Sequence, residues 1–298
     1  MLKKINNFKV KTVNIPEPEI KKIGGSALFP LLYPNILIVS KKKTGKTTII
    51  SNIVSKCTNK KTSVWIFCPS VKKDDTYREI TKSLEARKIN YNCFYDVEDS
   101  EEGPVLNELI EALRRDEDDD DEQIKLKKLA VVEHEPKLYF GGESDKARVK
   151  REMKKIENEE ERAKKAEAKS KKKVYPTHLF IFDDLSVALR NKAISKLLKT
   201  NRHLRALVVL SAHTITDLKP DARKQIDVCL VSSSLNVEKL EDLYKDLNVS
   251  IPFEDFLVIY NTATSQSKFD YLYIDTRSDS FRKNFSHSVE LENKTEEE

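Results

Sequence analysis

Residues 40 to 47 read Ser40-Lys41-Lys42-Lys43-Thr44-Gly45-Lys46-Thr47, a spacing that can hold phosphate. It matches the Walker A pattern G-x-x-x-x-G-K-[ST] at every fixed position except the first, where serine replaces glycine. Such a loop turns consecutive backbone N–H groups inward, and the start of the next helix adds its positive end, so phosphate oxygens meet a ready nest. Gly45 lets the backbone come close to the ligand. Lys46 would place its ammonium on the β- and γ-phosphates, and the Thr47 hydroxyl would ligate Mg²⁺. The stretch from Ser40 through Thr48 is therefore the candidate ATP-binding segment. Lys41, Lys42 and Lys43 read either as solvated surface charge or as added positive potential beside the nucleotide.

A second constellation is Leu179-Phe180-Ile181-Phe182-Asp183-Asp184, four apolar residues followed by two acids, the Walker B form. A carboxylate at the carboxyl end of a parallel strand lies at the ligand-binding edge of its sheet. Asp183 would hold Mg²⁺ through water, and Asp184 would orient or deprotonate the attacking water. P-loop ATPases more often carry glutamate at the second place. The alternative is that Asp183 caps a helix beginning near Leu185, and the phosphate loop earlier in the chain favours the metal reading. A third candidate group follows the apolar run Arg205–Ala212, which ends in Ser211 with His213 just beyond. His213 reads as a sensor of the γ-phosphate or as an ordinary loop histidine. Arg202, Arg205 and Arg223 are candidate arginine fingers, which stabilise transition-state charge and often come from a neighbouring subunit.

The elements that must position these groups are legible as short apolar runs alternating with helical stretches. Strands are expected at Asn35–Ser40, Ser63–Cys68, Tyr91–Tyr95, His178–Phe182, Arg205–Ala212, Val228–Val231 and, as the last, Tyr271–Ile274. Continuous apolar runs of this length suit parallel strands buried on both faces. Helices are expected at Lys46 to about Cys57, near Asp75–Lys88, at Leu185–Lys199, and as a pair at Val237–Leu247 and Phe253–Ile259. The alternation specifies an α/β fold, a mostly parallel doubly wound sheet flanked by helices. Residues 1–30 read as an extended lead-in, 31–286 as the P-loop ATPase domain, and 287–298 as a polar tail. Within the domain, 114–173 is a charged insertion with almost no apolar positions, suited to an exposed helix or a disordered segment.

Bulk composition narrows the classes. With 54 basic and 49 acidic residues in 298, the net charge of +5 argues against a polycation that simply coats nucleic acid. Four scattered cysteines form no zinc or disulfide pattern. No apolar run is long enough to span a bilayer, and the reading is a soluble intracellular protein with no membrane partner.

The order of these pieces resembles one family. Walker A, a Walker B ending in two aspartates, NRHLRALVVLSAH (201–213), LKPDARKQ (218–225) and FDYLYIDTRSDSFRKNF (269–285) together look like the poxvirus-type DNA-packaging ATPases. These belong to the FtsK/HerA superfamily and occur in large DNA viruses, virophages and Polinton/Maverick elements. The resemblance covers about residues 33–100 and 174–286, with the charged insertion outside it. Arg202-His203 matches an "RH" segment, and Pro220–Gln225 resembles a stretch containing the family's arginine, which makes Arg223 the leading finger. Three positions depart from the pattern: Ser40 stands for glycine, His213 for glutamine and Gln225 for asparagine.

The resemblance implies an ATP- and Mg²⁺-dependent translocase that packages double-stranded DNA into a capsid. It implies a homo-oligomeric ring, capsid or portal partners, and action inside a host cell or in association with the virion. Two alternatives stand beside it. One is a P-loop ATPase of another branch, such as a helicase, a conjugation-type pump or a partition ATPase. The other is a degenerate nucleotide-binding protein without turnover.

Overall fold

The computed structural model describes residues 19–98, 105–115, 173–185 and 187–291. Nearly all of the charged insertion lies outside the described residues, as do residues 1–18 and 292–298.

Among the described residues, nine strands make one sheet in the order β3-β2-β4-β5-β1-β6-β7-β8-β9. They are β1 (Asn35–Val39), β2 (Ser63–Phe67), β3 (Tyr91–Phe94), β4 (His178–Phe182), β5 (Ala206–Ala212), β6 (Val228–Ser232), β7 (Tyr271–Asp275), β8 (Ser280–Lys283) and β9 (His287–Ser288). The first six in spatial order are parallel, and β7, β8 and β9 continue the sheet antiparallel. β1, β4, β5 and β6 are buried at every position, which is why they read as unbroken apolar runs rather than as alternating ones.

Helices cover both faces, as expected of a doubly wound sheet. On one side α1 (Lys46–Cys57) and α2 (Asp75–Ala86) set Ile50, Ile53, Tyr77 and Leu84 against Ile36, Ile66 and Val209. On the other, α3 (105–115), α4 (Lys192–Thr200), α5 (Pro220–Arg223), α6 (Val237–Leu247) and α7 (Phe253–Thr264) contribute Ile110, Leu197, Leu243 and Phe256 to a cluster with Phe182 and Leu210. Stacked rings add to this face, Trp65 on Phe180 and Phe67 between Phe94 and Phe182. Each such fully buried apolar side chain contributes about 1.5–3 kcal/mol. The expected α/β class with a mostly parallel sheet is the class observed.

Four details differ from the sequence expectations. The helix expected over Leu185–Lys199 is a short 3-10 turn, Ala188–Arg190, followed by α4. Asn191 divides them because its side chain accepts the N–H of Ala193 at 2.7 Å, an N-cap that starts a new helix. Tyr271–Asp275 is not the last strand, since the chain turns back twice into β8 and β9, and His287 and Ser288 of the expected polar tail lie in β9. The described end of the lead-in is folded rather than extended. It makes a 3-10 turn at Ile20–Lys22 and buries Ile23, Leu28 and Phe29. That turn also fastens the chain where it returns from the insertion, through Gly24 N to Val174 O at 2.6 Å and Val174 N to Lys22 O at 2.7 Å. Finally, α3 forms at 105–115, where Leu106, Ile110 and Leu113 are spaced for one helix face.

Candidate active site

β1 and β5 are neighbours, yet the chain leaving β1 passes to β2 on one side and the chain leaving β5 passes to β6 on the other. A crevice opens beyond the carboxyl ends of strands where connections diverge in this way, and it is where open α/β sheets bind ligands. The phosphate loop, the two aspartates and His213 all fall at this edge.

The loop is held in shape by its own residues and by both neighbouring strands. Ser40 N continues the β1 ladder to Ala212 O at 3.0 Å, and Lys41 N donates to Ser234 Oγ at 3.0 Å beyond β6. Thr44 Oγ1 donates to Lys41 O at 2.8 Å and is also bonded to the Ser40 hydroxyl. Lys43 and Gly45 both take positive φ, 65° and 92°. Left-handed residues set among right-handed ones gather N–H groups into an anion-binding concavity. At Gly45 a side chain would be strained by that φ and would meet the Phe269 ring at 3.4 Å. Lys46 and Thr47 are the first two residues of α1 and half-buried, whereas Lys41, Lys42, Lys43 and Thr48 are exposed.

Ser40 is 2% exposed, and its carbonyl lies 3.1 Å from His213 Nδ1. Two of the three departures from the family pattern therefore touch each other. His213 is fixed in turn by its backbone N–H, which donates to Asp217 Oδ2 at 2.9 Å in a capping box with Thr214. The third departure, Gln225, lies at the opposite edge, its carbonyl accepting from Asn35 Nδ2 at 2.8 Å.

Asp183 follows β4 and is 5% exposed. The registers place it in the same row as Ser211 of β5 and Ile38 of β1, two strand spacings or roughly 10 Å from β1. It does not cap a helix. One carboxylate oxygen accepts the Tyr77 hydroxyl at 2.9 Å, and the other, Oδ1, is buried with no partner. Burial, then the Asp183 charge, holds the Tyr77 phenol well above its ordinary pKa, so it stays a donor. Burial likewise pushes up the Cys68 thiol behind the two aspartates, and their negative charge adds to the effect. Ser211 Oγ is also buried without a partner. Asp184 is exposed and takes φ 58°, a left-handed conformation that aspartate tolerates better than most residues.

The donor set suits Mg²⁺. Among the described residues no cluster of three or more His, Cys, Asp or Glu could enclose a metal by itself. Mg²⁺ is commonly held by one or two carboxylates, phosphate oxygens and water, and the orphaned Asp183 oxygen with the Thr47 hydroxyl meets that need.

The Arg223 side chain is bonded within its own chain. Its guanidinium donates to Leu218 O at 2.9 Å and Thr216 O at 3.4 Å, and pairs with Asp246 at 2.9 Å. It braces α5 against α6. Arg202 and Arg205 lie at the start of β5, the opposite edge of the sheet. Two cavities of about 710 and 390 Å³ open there too, both reached by Arg202 and Arg277. Tyr77 and Ser234 escaped the sequence reading. Tyr77 looks like one more apolar position on the buried face of α2, and a lone serine after a strand carries no signal.

Among the described residues no helix is long and apolar enough to cross a membrane. No curated protein matches the chain. Among solved structures, the genome packaging NTPase B204 from Sulfolobus turreted icosahedral virus 2 in complex with AMPPCP is similar at 14% identity and a TM-score of 0.49. That likeness spans 85% of this chain and 98% of that one. The DNA-packaging ATPase B204 from Sulfolobus turreted icosahedral virus is similar at 13% identity and a TM-score of 0.45, over 85% and 98%. The family described as Poxvirus A32 protein matches residues 143–286. That span takes in the Walker B strand and the chain after it to Ser286, leaves out the phosphate loop, and includes 143–173 of the charged segment, which the motif resemblance had placed outside it. The resemblance carried by the motifs is thus borne out over the second half of the chain, which is similar to the Poxvirus A32 protein family.

Proposed function

We propose that this chain is an ATP-hydrolysing translocase that packages double-stranded viral or transposon DNA into a capsid. The observation that carries the nucleotide reading is the meeting, at one sheet edge, of the Lys46 loop and a buried aspartate whose second oxygen has no protein partner. Lys46 and the loop N–H groups, with Lys41, Lys42 and Lys43 outside them, hold the phosphate tail. Thr47 and Asp183 would hold Mg²⁺, which would supply positive charge to the phosphates. Asp184 takes a proton from the water that attacks the γ-phosphorus as the bond to the bridging oxygen breaks. His213 and Ser211 stand where the γ-phosphate would lie.

The similarity to the poxvirus family supports packaging over the other motor roles. The domain extends beyond 31–286, since it takes in the buried Ile23, Leu28 and Phe29 and strand β9, and the charged insertion interrupts it. The exposed Lys41–Lys43, Thr48 and Asp184 leave the site open to water, which suits a ring in which the next copy covers the nucleotide and supplies an arginine. The partners are then duplex DNA and capsid or portal proteins, and the work takes place in the infected host cell. Phosphate release by the purified chain, with and without duplex DNA, tests this alongside its mass in solution. Stimulation by duplex DNA and a multimeric mass are expected. Stimulation only by single strands, with unwinding, would favour a helicase, and no hydrolysis under any condition would favour a nucleotide-binding protein without turnover.

A further inference from the structure

A single exposed apolar side chain is ordinary on a protein surface, but Phe269 has an unusual position. It is 55% exposed, and its ring edge lies within van der Waals distance of where a Gly45 side chain would begin. Because β7 runs antiparallel to β6, its first residue Tyr271 lies level with Ser232 at the end of β6. The turn before β7 therefore emerges at the phosphate edge, on the side of β1 away from Asp183.

That turn is fastened on every side. Asp270, 8% exposed, accepts Ser267 N at 3.0 Å and Asn284 Nδ2 at 3.0 Å, and pairs with Lys283 at 3.0 Å. Phe269 N itself donates to Ser267 Oγ at 3.2 Å. One face of the ring is covered by Lys268 Nζ at 4.8 Å from the centroid.

We propose that Phe269 is the base-stacking residue of the nucleotide site, its ring packing against the adenine of ATP bound in the Gly45–Lys46 loop. This rests on the nucleotide reading above and gives the ligand a direction. β4 with its aspartates lies two strands to one side of β1, and β7 two strands to the other. The γ-phosphate points toward Asp183 and Asp184, and the base toward Phe269. A flat ring presents the same surface to every base, so the contact adds affinity for nucleosides over bare phosphates and little choice among bases.

The test compares Mg²⁺-ATP with Mg²⁺-tripolyphosphate, which has the phosphate tail and no base, by direct binding to the full chain. Phe269→Ala should weaken ATP about tenfold, within the range found when a stacking ring is removed, and leave tripolyphosphate unchanged. Phe269→Trp should keep ATP affinity and show fluorescence quenching with ATP and none with tripolyphosphate. Unchanged ATP affinity in Phe269→Ala would overturn the stacking role, and so would an equal loss for both ligands. If neither ligand binds the wild-type chain, or Lys46→Ala binds both as well as wild type, the nucleotide site itself is wrong.

Discussion

The two edges of the sheet treat their polar groups differently. At the edge where β1 begins, Asn35 Nδ2 serves the carbonyls of Leu198 and Gln225, and its N–H serves Asp227 at 2.9 Å. Asp227 reaches Arg202, Asn201 bonds Tyr33 O, and Thr276 bonds Ile226 O. At the edge where β1 ends, Asp183 Oδ1 and Ser211 Oγ stand buried in one register row without partners. An unmade hydrogen bond on a buried group costs about 1–3 kcal/mol, so a protein keeps such groups where a ligand completes them. Asn35 Oδ1 at the first edge and the Tyr273 hydroxyl within β7 are also unpaired. The pattern still holds: polar residues at the first edge tie segments together, and those at the second wait beside a phosphate loop.

Substitutions can break this contrast, and the largest effects belong to the phosphate edge. Asp184→Asn should lower ATP turnover by about 10²–10⁴, the usual worth of a positioned base, with ATP still bound and trapped; turnover at the wild-type rate would remove Asp184 from the mechanism. Lys46→Ala should lower turnover by at least the 10²–10³ typical of losing one preorganised charge donor, with thermal stability intact, as phosphate release and a melting curve together will show. At the paired edge the order reverses. Asn35→Ala leaves two carbonyls unserved and should cost about 1–3 kcal/mol, roughly 2–4 °C of Tm for each kcal/mol in a domain of this size. Its turnover below the transition should match wild type; a catalytic defect without a stability loss would contradict the structural role. Arg223→Ala should lower Tm by a similar or smaller amount through loss of the Asp246 brace, whereas an unchanged Tm with lost turnover would return Arg223 to the role of finger. The smallest effect is expected from Tyr77→Phe, about 1 kcal/mol of stability and a few-fold in turnover, because one donor to Asp183 is lost while its charge stays.

The same division explains what the sequence disclosed. The strands that carry the site are buried on both faces, so their apolar runs are continuous and their ends can be read within a residue or two. Lys46, Thr47, Asp183 and Asp184 sit at fixed offsets from those runs, and chain order alone brings them to one edge. Tyr77, Ser234 and Phe269 reach that edge from α2, from beyond β6 and from before β7. Only the sheet order, with β7 turned antiparallel, puts them there. The motif marks Arg223 but not its contacts, and in this chain a carboxylate on α6 holds the guanidinium. Asn191 could have been read as a cap, but the apolar run through Leu198 masked the break.

The clasp between Lys22, Gly24 and Val174 also bears on how the two halves of the chain are tied to the core. One end of the charged insertion leaves from α3, anchored by Leu106, Ile110 and Leu113, and the other returns into that clasp. The two anchors share no residue, and each is built from its own contacts with the core. Ile110→Ala, or Val174→Pro, which removes the N–H donated to Lys22 O, should therefore loosen mainly its own end of the fold.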